Sequence, residues 1–377
     1  MDTLVIVVII TALAFDFTNG FHDTANAMAT SIATKALPPR VAVGISAVLN
    51  LVGAFLSVEV AKTISNGLVD DSKVTPAVIF GGLVGAILWN LVTWLLGLPS
   101  SSSHALFGGL IGATWIAAGG DAVHFATVLT KVIIPALASP LIAGLVAATG
   151  TFLVYLITRR AAQRNVRSGF RHGQVISASL VSLAHGSNDA QKTMGVITLV
   201  LITAGSLDSG SGPPLWVIFS SGLAIALGTY LGGWRIIRTV GHKLTRIEPQ
   251  QGFAAETSSA TVILASSHLG YPLSTTQVTS GAVIGSGIGK RLSEVKWGIA
   301  GRIAIAWLLT LPAAAVVGAL AGRLAISGTA GVLIVAVALV GLSALFYVLS
   351  RRDKVDRHNV NDETPAPTTA PQPTFAN

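Results

Sequence analysis

The sequence predicts an all-α polytopic membrane protein made of two inverted-topology repeats with broken helices and re-entrant hairpins. Three observations lead to this fold class. Of the 377 residues, 51% are hydrophobic and 11% are charged, against roughly 25% charged in a typical soluble domain. The apolar residues are grouped in long blocks, which is typical of membrane-spanning helices. Two polar motifs also recur in the same order, once in each half of the chain.

The apolar blocks predict the membrane elements in chain order. They run over 3–16, 41–61, 76–98, 104–118, 132–158, 175–205, 215–233, 254–270, 278–289, 298–322 and 329–350. Most are long enough to cross a hydrocarbon core about 30 Å thick. The blocks 104–118 and 278–289 are shorter, rich in glycine and preceded by proline and Ser/Thr residues. Each is therefore predicted to form one arm of a re-entrant hairpin.

An internal duplication divides the chain into two halves. The segment 18–29 (TNGFHDTANAMA) matches 184–195 (AHGSNDAQKTMG), and 99–112 (PSSSSHALFGGLIG) matches 272–285 (PLSTTQVTSGAVIG). The Pro/Thr-rich end of the chain is typical of disorder. The predicted organisation is a first membrane repeat (1–158), a basic cytoplasmic linker (159–174), a second inverted repeat (175–323), an extra transmembrane helix (324–350) and a disordered cytoplasmic tail (351–377).

The basic residues predict how the repeats are inserted. Segment 159–171 carries five arginines, 235–246 and 351–357 each carry four Lys/Arg, and 206–214 carries none. Cytoplasmic loops hold the excess of Lys and Arg, so the N-terminus is expected outside and the C-terminus in the cytoplasm. The second half is then upside-down relative to the first, as in many secondary transporters. The net charge of +8 is attributed to these loops, and no nucleic-acid partner is expected.

Two acidic residues stand within apolar surroundings at equivalent motif positions, Asp23 and Asp189. A charge at the bilayer centre costs at least ~2.5–3.5 kcal/mol, so a cation or proton site near the repeat interface is expected. Gly20 and Gly186 are predicted to break the helices there and to free backbone N–H and C=O groups. An intramembrane aspartyl protease is a competing class, but it would leave the Ser/Thr motifs unexplained.

Two hydroxyl-rich segments, Ser100–Ser103 and Ser274–Thr276, precede apolar helices. Ser and Thr at that position cap helices, and a helix N-terminus with several donors is also an anion site. Two such ends brought together by symmetry would surround a tetrahedral oxyanion such as sulfate or phosphate. Protonated phosphate also donates hydrogen bonds, so a nearby carboxylate favours phosphate. The sequence does not separate a transporter from an anion channel.

These motifs resemble the inorganic phosphate transporter (PiT) family. Its signature is a duplicated Gly-x-Asn-Asp motif, followed in each half by Pro-x-Ser-Ser/Thr-Ser/Thr-His. The resemblance covers about residues 10–325, and GFHDTANA at 20–27 and HGSNDAQK at 185–192 look like the bacterial low-affinity branch. It implies a non-enzymatic secondary importer of inorganic phosphate, free or as a metal–phosphate complex, without a cofactor. It also implies the bacterial inner membrane and is compatible with a homodimer.

The expected site has two parts. The substrate residues are Ser101, Ser102, Ser103, Ser274, Thr275, Thr276, His104 and Gln277. The residues for cation or proton coupling are His22, Asp23, Asn26, Asn188, Asp189, Lys192 and Glu256. The alternative sodium site within them is formed by Asp23, Asn26, Asn188 and Asp189.

Departures from the family pattern bear on the coupling ion. His22 replaces the first motif asparagine, and Lys192 stands where the first half has Asn26. Histidine changes charge near neutral pH and a lysine would act as a tethered cation, so proton symport is expected. A sodium-coupled symporter and a sulfate permease are the alternatives. There are two competing interpretations. Lys192 would extend its ammonium to the membrane surface, and His22 would only form hydrogen bonds.

Two further positions are interpreted with alternatives. Gln277 stands where the family has histidine, so its partner His104 and Gln277 itself are assigned to orientation or hydrogen bonding of the substrate. Glu256 either takes part in coupling or is a favourable acid in a first helical turn.

Overall fold

The computed structural model describes residues 2–291 and 295–362, apart from the side chain of Asn66. Most of the predicted disordered tail, 363–377, lies outside the described residues. Within the described ranges the regular structure is helical, with two isolated β-bridges, Val69 to Val123 and Thr245 to Val295.

The first half of the chain forms seven α-helical segments within the described residues. They are α1 (Thr3–Ala33), α2 (Pro39–Gly53), α3 (Glu59–Gly67), α4 (Pro76–Leu95), α5 (Ser102–Ala118), α6 (Phe125–Thr127) and α7 (Ile134–Thr158). A π-helical turn, Val128–Ile133, joins α6 to α7. Proline at the first helical position starts α2 and α4, because its fixed φ suits that position and its missing N–H costs nothing there.

The second half repeats this order and is followed by one more helix. Its elements are α8 (Gln163–Thr203), α9 (Leu215–Leu231), α10 (Trp234–Arg238) with a π-helical turn (Thr239–Lys243), α11 (Pro249–His268), α12 (Thr275–Lys290), α13 (Trp297–Ala325) and α14 (Thr329–Ser350). The arms α4 and α11 both have 20 residues, and α5 and α12 have 17 and 16. Residues 163–174, expected as a linker, form the first turns of α8.

The loops fall on two opposite faces. On one face Ser209 Oγ donates to Asp71 Oδ2 over 2.6 Å. On the other, Arg167 lies 3.8 Å from Glu248 and His242 lies 2.9 Å from Asn361. The three basic segments therefore share a face, away from 206–214. Helix α8 begins at this basic face, whereas α1 ends there, since Arg171 donates to Thr34 O over 3.1 Å. This arrangement supports the predicted inversion of the second half.

The helix breaks expected at Gly20 and Gly186 are not present, because α1 and α8 run through both positions. Both glycines instead allow close helix packing. A Cβ at Gly20 would lie 2.3 Å from Ile225 O, and one at Gly186 would lie 2.2 Å from Asn50 O. Small residues let membrane helices approach this closely. The bent span lies elsewhere, between α9 and α10, where the axis turns by 60°.

Five helices in the described chain are long and apolar enough to cross a membrane, or six with the bent α9–α10 pair. They belong to α1, α4, the α6–α7 span, α13 and α14. Helix α8 has 41 residues but carries many polar side chains in its buried middle. It packs against α1, α2, α3, α9 and α11, which bury this middle part. The chain is therefore a multi-pass membrane protein.

The predicted hairpins are present as α4–α5 and α11–α12, whose arms pack together. Each turn contains a glycine with positive φ, +64° at Gly97 and +69° at Gly270, a conformation that side-chain-bearing residues rarely adopt. The hairpins are held by the opposite half: α5 packs on α13, and α12 packs on α7.

Candidate functional site

The tips of the two hairpins meet in the interior. Ser101 and Ser274 cap α5 and α12 in the same way, accepting from His104 N over 3.1 Å and from Gln277 N over 3.2 Å. Ser103 Oγ donates to Leu273 O, on the facing tip, over 3.1 Å. The side chains of His104 and Gln277 contact each other over 3.4 Å. The two hairpin tips, each predicted to bind an anion, therefore lie in contact with each other.

The tips are joined to the two motif aspartates. Ser102 Oγ donates to Asp23 Oδ2 over 2.8 Å. Thr275 Oγ1 lies 2.9 Å from Asp189 Oδ2 and 3.5 Å from Asp23 Oδ2, so it faces both acids. A single hydroxyl thus connects α1, α8 and α12.

The motif asparagines contribute differently. Asn26 Nδ2 donates to Thr276 Oγ1 over 3.0 Å, whereas Asn188 Nδ2 donates to Ser267 Oγ over 3.0 Å. Both amide oxygens are buried without a hydrogen-bond partner. These amide oxygens and the carboxylates of Asp23 and Asp189 are hard oxygen ligands, the type that hard cations take.

Each aspartate has a basic partner of its own. His22 Nδ1 lies 2.5 Å from Asp23 Oδ1. The Lys192 ammonium forms an ion pair with Asp189 Oδ1. Lys192 is fully buried, so the interpretation that its side chain extends to the membrane surface is wrong. His22 also contacts Thr93 and Ser100, which ties it to the first hairpin.

The sequence analysis did not identify one member of the site, His185. Its Nε2 lies 3.0 Å from Asp189 Oδ2. Its Nδ1 contacts Asn50 Oδ1 over 3.1 Å. His185 and Asp189 are four residues apart on α8, a spacing that places them on one helix face and could have revealed this contact. Asp23, His185 and Asp189 each present a ligand atom within 4.8 Å of the others.

Glu256 lies in a separate polar cluster. Its carboxylate accepts from Thr30 and Ser31 over 2.6 Å each, from Ser177 over 2.5 Å and from Gln174 over 3.1 Å. None of these donors belongs to the predicted site. Helix α11 begins at Pro249, two turns earlier, so the first-turn interpretation of Glu256 is wrong. Its hydrogen bonds connect α1, α8 and α11.

The site is closed to solvent. Its predicted residues on the tips and on α1 and α8 are all buried, with Asn26 the most exposed at 7%. Electrostatic interactions are strong in such a place, because little water screens them. An ion held here can leave only when the surrounding helices separate.

The chain resembles phosphate transporters in sequence and in structure. The phosphate transporter family matches residues 19–318. A "Probable low-affinity inorganic phosphate transporter" of Mycobacterium bovis is 59% identical over 362 residues, 95% of this chain and 87% of the relative. One of the same description from Bacillus subtilis is 45% identical over 320 residues, 84% of this chain and 96% of the relative. A solved structure, "The sodium-dependent phosphate transporter", superposes with a TM-score of 0.73 at 27% identity, covering 85% of this chain and 98% of that one.

Proposed function

We propose that this chain, which belongs to the phosphate transporter family, imports inorganic phosphate by proton symport through the paired hairpin tips. The chain is a membrane transporter of inorganic phosphate and not an enzyme. The direction of transport, the coupling ion and the roles of individual residues are the proposed parts. We also propose a bacterial inner membrane, with the N-terminus outside and the C-terminus in the cytoplasm.

The observation that supports proton coupling is that each of the two acids lies beside a basic side chain of the same chain. Asp23 has His22 as its partner, and Asp189 has Lys192. Removing one partner of a buried ion pair leaves an uncompensated charge, which is strongly unfavourable. Lys192 balances the charge of Asp189, and a protonated His22 would balance that of Asp23, so in that state neither carboxylate needs a bound metal ion. A proton can then be carried by the acid–base pairs themselves.

The hairpin tips provide the donors for phosphate. The hydroxyls of Ser101–Ser103 and Ser274–Thr276 and the first backbone N–H groups of α5 and α12 converge there, and helix N-termini favour anions. In this structure Ser102 and Thr275 donate to Asp23 and Asp189. We propose that these hydroxyls rotate toward phosphate when it binds. The carboxylates then accept from the protonated oxygens of phosphate, which sulfate lacks at neutral pH.

Sodium symport is the second candidate, and two observations favour it. The amide oxygens of Asn26 and Asn188, two residues close in sequence to the two acids, have no hydrogen-bond partner. The structural relative at 27% identity is described as sodium-dependent. In this case Lys192 would occupy the place of one sodium ion, and a single sodium would suffice beside Asp23. A metal–phosphate complex as cargo and a homodimer are further proposals that rest on the family resemblance.

The deciding experiment is uptake of radiolabelled phosphate into proteoliposomes. An inward proton gradient is compared with an inward sodium gradient, with sulfate as a competitor. Accumulation driven by the proton gradient alone is expected. Accumulation that requires sodium would overturn proton coupling while keeping the substrate. Uptake of sulfate instead of phosphate would mean that the tips bind a different oxyanion.

A further inference from the structure

Helix α9 presents a row of large apolar side chains on its surface. The row consists of Phe219, Leu223, Leu227 and Leu231, which are 39% to 56% exposed. Residues four apart lie on one face of a helix, and α9 belongs to the bent span α9–α10, so this face is suited to lipid acyl chains. The row ends where the helix ends, at Gly232 with φ +75°.

A cavity of about 620 Å³ lies at the end of this apolar row. Its walls are the first turns of α2, the end of α9, the start of α10 and part of the segment 351–362. Tyr230 and Trp234 line it, and these two residue types are enriched where a membrane meets water. The cavity therefore lies at the boundary between the apolar span and the basic face.

The lining of the cavity has an excess of positive charge. Its cationic residues are Arg40, Lys354 and Arg357. The carboxylate of Asp356, also in the lining, lies 3.3 Å from Lys354 Nζ and is already paired. Among the residues that the structure describes, Arg40 and Arg357 have no carboxylate partner, and Arg357 Nε donates to His358 Nε2 over 3.1 Å. Two guanidinium groups can therefore bind an anion, and their fork of N–H donors matches phosphate oxygens.

The C-terminal wall of the cavity is held in place by α10. Arg235 donates to Ser350 O over 2.7 Å, and Arg238 donates to Asn359 Oδ1 over 3.0 Å. Val360, beside the second contact, is fully buried and packs in the core. The segment that carries Lys354 and Arg357 is thus fixed to the membrane part of the molecule, so little order has to be gained when a ligand binds.

We propose that this cavity binds the phosphate of an anionic phospholipid, with the acyl chains of that lipid along the exposed face of α9. Basic pockets on the cytoplasmic side of transmembrane helices bind such headgroups. An apolar row that continues into a basic cavity matches a molecule with apolar chains and an anionic headgroup. Free phosphate would use only the cavity, and a second copy of the chain would use only the row. The lipid site is separate from the hairpin tips and does not depend on the coupling ion.

The test measures lipid binding to the purified full chain in detergent, without phosphate. Native mass spectrometry counts bound lipid during titration with phosphatidylglycerol or with phosphatidylcholine that has the same acyl chains. For the wild type we expect one phosphatidylglycerol to bind at least about tenfold more tightly than phosphatidylcholine. In the double variant Arg40→Gln/Arg357→Gln we expect this preference to fall to about twofold or less.

The matched control is Arg159→Gln/Arg160→Gln, which removes two exposed arginines from the same basic face but outside the cavity lining. It should keep the wild-type preference. Lys354→Gln removes one cation and leaves Asp356 without its partner, so it should also weaken binding of phosphatidylglycerol. This exposed substitution decides the question if the double variant in the cavity does not fold.

A competition experiment distinguishes a lipid from a soluble phosphate. Glycerol phosphate has the phosphate of the headgroup but no acyl chains, so an excess of it should not displace phosphatidylglycerol. Displacement would assign the cavity to a soluble anion and overturn the proposal. Equal binding of both lipids by the wild type, or the same loss of preference in the control, would also overturn it. Failure of phosphate uptake would affect only the proposed function, since none of these measurements involves transport.

Discussion

The two halves of the site differ at single residues. The acids Asp23 and Asp189 are equivalent by the duplication, but Asp23 is paired with the residue next to it, His22. Asp189 is paired with Lys192, which corresponds to Asn26 of the first half. Asp189 also lies 3.0 Å from His185 Nε2, so the two acids have different sets of basic neighbours. Equivalent acids in unequal electrostatic environments are suited to separate tasks.

Neutralising either acid should abolish transport. In Asp23→Asn and in Asp189→Asn, the carboxylate that balances His22 or Lys192 and accepts from phosphate is lost, so uptake should fall to background. Asparagine keeps the shape of the side chain but leaves a buried basic partner without its acid, which lowers stability, so uptake is expressed per amount of protein in the membrane. Radiolabelled phosphate uptake and quantitative blotting of membranes measure the two effects. Wild-type uptake in either variant would contradict the assigned roles.

Replacing the buried lysine should change the ion that drives transport. Lys192→Asn installs in the second half the residue that the first half has at the equivalent position, Asn26. The tethered ammonium is lost and an amide oxygen takes its place, so Asp189 should require a bound cation. We expect uptake to become dependent on sodium. Proteoliposomes under sodium and proton gradients measure this directly, and an unchanged ion dependence would show that Lys192 has another role.

The threonine that faces both acids should contribute to phosphate binding more than to folding. Thr275→Ala removes a hydroxyl that lies 2.9 Å from Asp189 Oδ2, and one such hydrogen bond contributes about 0.5–1.5 kcal/mol. We expect the KM for phosphate to rise at least about threefold, with a small change in thermal stability. Ser286→Ala, a buried serine near the other end of α12, is the control and should leave the KM unchanged. Equal effects in both variants would argue against a binding role.

Sequence patterns predicted most of the residues that the structure brings together at the hairpin tips, but they could not reveal every contact. The duplicated motifs identified both acids and both Ser/Thr tips. Asp16 precedes the motif within an apolar block, and nothing in the sequence around it marks it as fully buried. Whether a buried acid has a partner depends on residues from other helices, such as Thr193. The four donors around Glu256 likewise come from α1 and α8.

At the scale of elements, glycines set the helix spacing around the site. Gly20 of α1 and Gly228 of α9 contact each other's helix backbone, and Gly53 of α2 and Gly186 of α8 do the same. Each long motif helix is thus packed against the bent or short span of the other half. The sequence predicted helix breaks here because glycine both breaks helices and permits close packing. Which of the two effects a glycine has depends on whether another helix packs against it.

Enlarging these glycines should destabilise the protein. An alanine Cβ at Gly20 or Gly186 would meet backbone oxygen at 2.3 or 2.2 Å, so the helices must separate. Overpacking of this kind typically costs about 1–3 kcal/mol, and we expect a lower unfolding temperature and reduced uptake in Gly20→Ala and Gly186→Ala. The control is Gly44→Ala on α2, which has no neighbour within 4 Å and should be neutral or slightly stabilising. A similar unfolding temperature in all three variants would contradict the packing argument.

The hairpin turns are attached to the elements that follow the α2 and α9 spans. Thr239 Oγ1 donates to Gly97 O over 2.8 Å, and Thr63 Oγ1 donates to Gly270 O over 2.9 Å. Each contact joins the turn of one half to the other half, so movement of the α10 region or of α3 would displace a hairpin tip. The two contacts are related by the duplication. They offer a symmetrical route by which opening of either face can reach the site.

At the scale of the whole molecule, the site lies where the two halves interlock. Each hairpin packs on the last long helix of the other half, and the tips close the site from solvent. Such an arrangement suits a transporter that opens one face at a time and disfavours an open channel. The sequence predicted the two repeats, because the duplicated motifs still share identical residues at a nearly constant offset. Their interlocking could not be predicted, because it depends on contacts between helices that are far apart in the chain.

The distribution of basic residues predicts the orientation of the molecule in the membrane. The basic segments 159–171, 235–246 and 351–357 share one face, and 206–214 lies on the other, so a single assignment fixes the whole topology. Because the excess of Lys and Arg is retained inside, the basic face should be cytoplasmic. The chain contains no cysteine, so any introduced thiol is labelled without background.

We therefore expect Ser206→Cys to react with a membrane-impermeant maleimide on intact cells. Ala161→Cys should react only after the membrane is permeabilised. Both side chains are exposed and neither belongs to the site, so the variants should retain phosphate uptake and report on the native arrangement. Labelling of Ala161→Cys alone on intact cells would reverse the topology and exchange the two entrances of the site. Labelling of both would contradict the placement of these segments on opposite faces, and with it the inverted relation of the two halves.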